Sequence, residues 1–99
     1  MIPSVELAAL ENSTEIHRLG RTAKGWTGWV TGFAPTADLS LPWNELERRL
    51  LEMGIVEGAK VEVLAEGPIR RDPIAVRIDD TTVALRRRDA DVILVSPAE

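Results

Sequence analysis

Leu46-Glu47-Arg48-Arg49-Leu50-Leu51-Glu52-Met53-Gly54-Ile55-Val56-Glu57-Gly58-Ala59-Lys60-Val61-Glu62-Val63 is the stretch on which the fold turns. Its first half repeats apolar residues at helical spacing, and its second half alternates them. Trp43, Leu46, Leu50 and Met53 lie at offsets 0, 3, 7 and 10, which places them on one face of a helix. Gly54 can take the left-handed conformation that closes a helix. Gly58 then turns the chain, and from Lys60 onward the period is two, the signature of a half-buried strand.

Upstream, the helix reads as Leu41 to Met53, with Ser40 as its cap and Pro42 in the first turn. Before it, 34–40 is a loop. Gly25-Trp26-Thr27-Gly28-Trp29-Val30-Thr31-Gly32-Phe33 is rich in aromatic and β-branched residues and reads as a first strand, with glycines marking bends. If Val30 faces inward, Trp26 and Gly28 share its face and Trp29 points out. Downstream, Gly67-Pro68 predicts a turn. Ile74, Val76 and Ile78 alternate in a further strand, Asp79-Asp80 predicts another turn, and Val83 and Leu85 continue the alternation. Arg87 to Asp91 predicts a helical turn, and Val92 to Val95 a short last strand.

These readings predict a mainly β fold: a small SH3-like β-barrel of about five strands with one inserted α-helix. Residues 1–18 are expected to form an N-terminal extension, broken at Asn12-Ser13-Thr14 and loosely held, and 19–99 the domain.

Composition removes several function classes. The 99 residues suit one domain. With no cysteine, disulfides, thiolate zinc sites, iron–sulfur clusters and thiol catalysis are excluded. His17 is the single histidine and is expected to be solvated, so no transition-metal site is expected. Asp79-Asp80 and Asp89-x-Asp91 could hold a hard cation but read better as a turn and a helix cap. Gly20-Arg21-Thr22-Ala23-Lys24-Gly25 lacks the Gly-Lys-Ser/Thr order of a phosphate loop and precedes a strand. The chain is therefore expected to be neither an enzyme nor a nucleotide binder, and to need no cofactor. Net charge is −4, which disfavours nucleic acid. Neither a secretory signal nor a run of the roughly 20 apolar residues of a membrane span is read, so cytoplasmic placement without direct membrane insertion is expected.

The helix–glycine–strand stretch quoted above resembles the FeoA family. Asp72-Pro73-Ile74-Ala75-Val76, Val83-Ala84-Leu85-Arg86-Arg87 and Ala90-Asp91-Val92-Ile93-Leu94-Val95 follow in the family's order, and Gly25-x-x-Gly28-x-Val30-x-Gly32-Phe33 is similar to its first strand. The resemblance covers about residues 19–96. It implies an accessory or regulatory protein-binding module of bacterial ferrous iron transport. The implied partner is the cytoplasmic GTP-binding part of a membrane-bound ferrous iron permease, met at the inner face of the membrane. The SH3-like regulatory domain of metal-dependent transcriptional repressors is similar too and supplies the alternative, and self-association stays open. Two features depart from the family: the arm at 1–18 and the longer segment 34–43.

The expected partner surface is the helix's outer face with the neighbouring rim: Arg48, Arg49, Glu52, Arg86, Arg87 and Arg88, with Trp29 as an aromatic anchor. Two readings compete with it. The arginines read equally as solvated rim charges, and Trp29 reads equally as covered by the arm or the long loop.

Overall fold

The computed structural model describes residues 15–98; of the expected arm at 1–18, residues 1–14 lie outside them. Strand β1 (His17–Arg18) leads through a 3-10 turn (Leu19–Arg21) to β2 (Thr27–Phe33) and helix α1 (Trp43–Glu52). Three strands follow, β3 (Lys60–Ile69), β4 (Asp72–Ile78) and β5 (Thr81–Leu85), then the short helix α2 (Arg87–Ala90) and β6 (Ile93–Pro97). The six strands form one antiparallel sheet in the order β1-β6-β2-β3-β4-β5.

The additional strand comes from the expected extension. His17 and Arg18 pair with Val95 and Leu94, and the His17 ring stands edge-on to Trp26 at 6.2 Å between centroids. His17 therefore belongs to the sheet, although its exposure agrees with the expected solvated side chain. Trp26 explains Gly28: a β-carbon there would collide with the Trp26 ring and with the Ser96 carbonyl.

Alternation builds the core. Val61 and Val63 from β3, Ile74, Val76 and Ile78 from β4, Leu85 from β5 and Ile93 and Val95 from β6 are buried together. Between Val63 and Ala65 the β3–β4 register slips. The bulge at Leu64 reverses the phase, which leaves Ala65 exposed although strict alternation from Val61 and Val63 would turn it inward. A second slip between Val30 and Gly32 bends β2 against β6. Such bulges add twist and let a small sheet curl.

Helix α1 lays Leu46 and Leu50 into this core, with Trp43 and Met53 packed at its margin. Its end matches the expectation closely. Gly54 has φ +87°, its N–H donates to Leu51 O at 3.0 Å, and the Ile55 N–H donates to Leu50 O at 3.0 Å. That pair of bonds is a Schellman closure, and Leu50 and Ile55 are both fully buried beside it. Its start differs from the expectation. The N-cap is Pro42, with no side-chain cap; Ser40 lies two residues before it, and its hydroxyl donates to Asp89 Oδ2 at 2.6 Å. Ser40 thus ties the loop to α2 rather than capping α1.

The β3–β4 turn also moves. Gly67 and Pro68 lie within β3, and the chain reverses at Arg70-Arg71, between Ile69 and Asp72. Both arginines have positive φ, 57° and 60°, the pattern of a type I′ hairpin turn. Ring-and-glycine punctuation predicted the turn three residues early.

Candidate interaction surface

The outer face of α1 follows directly from its buried face. With Leu46 and Leu50 inside, Arg48, Arg49 and Glu52 project into solvent. Arg49 Nη2 lies 3.8 Å from Glu45 Oε2, one turn earlier on the same helix. An exposed pair of this kind adds little stability, about 0.3–0.5 kcal/mol, so these charges are available for other work.

Arg49 and Arg86 border the same groove. A cavity of about 290 Å³ lies between α1 and the β5–α2 corner, lined by Leu41, Leu46, Leu50, Met53, Ala84 and Leu85, with Arg49, Arg86, Ser40 and Asp89 at its polar margin. The floor is apolar and the edges carry charge, the arrangement of a small protein-binding cleft. β5 borders it as an edge strand, paired among the described residues with β4 alone.

Arg87 differs from its neighbours. Its Nε donates to Arg71 O at 2.6 Å, its Nη1 to Gly20 O at 3.0 Å and to Thr22 O at 2.7 Å. Its Nη2 donates to Glu66 Oε2 at 2.9 Å, and its backbone N–H donates to Asp72 Oδ1 at 2.9 Å. The side chain is 20% exposed. Arg87 therefore holds the 3-10 turn, the β3–β4 hairpin and α2 together. This network places it inside the fold rather than on the expected partner surface, where Arg86 and Arg88 remain exposed. Sequence reading missed this because the three arginines are adjacent and identical, and only the register of β5 against β4 decides which one turns inward. Asp72, equally unflagged, supplies the acceptor that α2 lacks at its start.

Trp29 sits apart from the groove. On β2 it lies opposite Lys60 on one side and Ser96 on the other, and it is 44% exposed. It points out, as the alternation predicted, but on the sheet rather than beside Arg49 and Arg86. The expected surface thus resolves into a groove with charged margins, a separate aromatic position and one structural arginine.

Two of the four candidate cation ligands are used otherwise, while Asp91 Oδ1 is buried without a hydrogen-bond partner among the described residues. Asp79 Oδ1 accepts the Lys60 N–H at 3.1 Å, and Asp89 holds Ser40 rather than capping α2. Among the described residues no three His, Asp or Glu side chains converge as a metal cage, and no helix is long and apolar enough to cross a membrane.

Known proteins show the same frame. A profile of the FeoA domain matches residues 17–97. A segment of the Fe(2+) transport protein A/Fe(2+) transporter FeoB fusion protein of Porphyromonas gingivalis is 48% identical over 48 residues, 48% of this chain and 6% of that protein. The FeoA-like protein of Clostridium acetobutylicum superposes with a TM-score of 0.70 at 27% identity, over 87% of this chain and 91% of that one. Stenotrophomonas maltophilia FeoA, solved with zinc and described as a prokaryotic SH3 domain protein, gives 0.62 at 28%, over 79% and 87%. A manganese-dependent transcriptional repressor gives 0.68 at 28%, over 84% of this chain and 42% of that one. The mainly β, SH3-like fold with one inserted helix is therefore shared, the match spans nearly all of the described residues, and the chain belongs to the FeoA family.

Proposed function

We propose that the chain is an accessory protein-binding module of bacterial ferrous iron transport. It acts on the cytoplasmic GTP-binding part of the iron permease, from the cytoplasm and at the inner face of the membrane. The observation that carries this reading is the relative in which a segment 48% identical to this chain is joined to the FeoB transporter in a single polypeptide. Fusion keeps two modules at high effective concentration, which benefits partners that work together. The groove between α1 and β5, with Arg49 and Arg86 on its margins, offers the contact surface. Its charges steer an acidic partner and its apolar floor holds it.

In this reading the chain performs no catalysis, needs no cofactor, binds no nucleic acid and keeps no tightly held metal. The absence of cysteine and the single histidine support that. The test is titration of the purified chain into the permease's cytoplasmic domain, with elemental analysis and a GTPase assay on the chain alone. Near-stoichiometric metal after dialysis, or GTP turnover that follows the chain through every purification step, contradicts the non-catalytic, metal-free part.

A second reading, the regulatory domain of a metal-dependent repressor, is supported by the likeness to the manganese-dependent repressor. That reading predicts metal-dependent association with DNA-binding protein rather than with the permease.

A further inference from the structure

We infer that the β3–β4 hairpin tip, Ile69-Arg70-Arg71, is a second docking point, a rigid cationic plug for an acid-lined apolar pocket on the permease's cytoplasmic domain. This deepens the reading above and rests on it for the partner's identity. Three observations converge on the tip. Ile69 is 74% exposed, the most exposed of the large apolar side chains among the described residues. Arg70 and Arg71 are exposed, and neither guanidinium makes a hydrogen bond or ion pair among the described residues. Both hold φ near +60°, at turn positions where glycine or asparagine is the unstrained choice. Two side chains kept at a conformational cost, with no hydrogen bond or ion pair from either guanidinium among the described residues, point to a contact beyond those residues.

The tip is also held in place. Arg87 Nε binds the Arg71 carbonyl, so the turn is anchored to α2 from behind. The acids at its base are already engaged, Glu66 with the Arg87 guanidinium and Asp72 with the Arg87 N–H. Nothing in the described surroundings therefore neutralises Arg70 and Arg71. The tip presents two planar donor forks beside one branched apolar side chain. Carboxylates match the forks bidentately, and an apolar pocket matches Ile69.

A protein pocket suits this set better than an anionic bilayer. The whole chain carries −4, so a negatively charged membrane repels most of its surface, and two arginines give only a weak lipid anchor.

The experiment compares the parent with two variants. One carries Arg70→Asn with Arg71→Gly, which removes both charges, keeps the carbonyl that Arg87 binds and installs the preferred turn residues. The other is Ile69→Ser. Each is titrated against the purified cytoplasmic GTP-binding domain and against phosphatidylglycerol vesicles, and thermal unfolding is recorded. The inference expects the turn variant to unfold at or above the parent's midpoint while its affinity for the domain falls about tenfold or more. Ile69→Ser should lose affinity similarly without losing its fold. If the parent binds the domain and both variants bind it equally well, the tip is not a docking point, and the proposed function stands without it. If the parent does not bind the domain, the proposed function falls and the tip's assignment with it. If the variants lose only vesicle binding, the tip serves lipid and the inference is overturned.

Discussion

Arg87 directs its guanidinium to three backbone carbonyls and one carboxylate, on segments that lie 16 to 67 positions away along the chain. Hydrogen bonds to a charged group contribute about 1.5–3 kcal/mol each when partly buried, and they are not additive. Arg87→Ala is therefore expected to lower unfolding free energy by about 2–4 kcal/mol in urea titration, with Arg87→Lys failing to restore it, because a point charge cannot reproduce the fork. Arg86→Ala and Arg88→Ala should stay within about 0.5 kcal/mol of the parent. This contrast was not legible in Arg86-Arg87-Arg88. Charge is visible in a sequence, but the direction a side chain takes at the end of a strand depends on register, and register depends on residues elsewhere. Trp29 was legible, because period two along β2 needs only its own neighbours.

Helix α1 shows what a local pattern can decide. Four residues at helical spacing and one glycine predicted both the buried face and the closing turn, and Leu46, Leu50 and the Gly54 geometry agree with them. Its start differs because the helix begins at Trp43 with Pro42 as its N-cap, which leaves Ser40 two positions upstream, where its hydroxyl donates to Asp89, 49 positions further on. The β3–β4 turn was misread similarly: Gly67 and Pro68 carry turn chemistry, yet the strand runs on through them to Ile69. At this scale the two faces of α1 separate stability from binding. Leu50→Ala should cost about 2–5 kcal/mol by opening a cavity beneath the helix. Reversing Arg48 and Arg49 to Glu should leave the circular dichroism spectrum and thermal midpoint nearly unchanged. The double reversal should still weaken capture of the permease domain, most at low salt, where steering by charge is strongest.

For the whole molecule, one curled sheet with one longer and one short helix presents, among the described residues, the α1–β5 groove, Trp29 on β2 and the hairpin tip as separate surface features. Fold class was legible because alternation, turn spacing and the helix-to-strand switch all agree on it. The partition of the surface was not, since it depends on which strands become edges and which arginine is drawn inward. These accessible features are contact surfaces, and they support the binding role proposed above. The most direct measurement is calorimetric titration of the parent chain and the Arg48→Glu, Arg49→Glu variant into the permease's purified cytoplasmic GTP-binding domain, at low and at high salt. The parent is expected to bind saturably and more weakly as salt rises, and the folded variant to bind distinctly more weakly at low salt. Absence of binding by the folded parent at low salt would contradict the binding role.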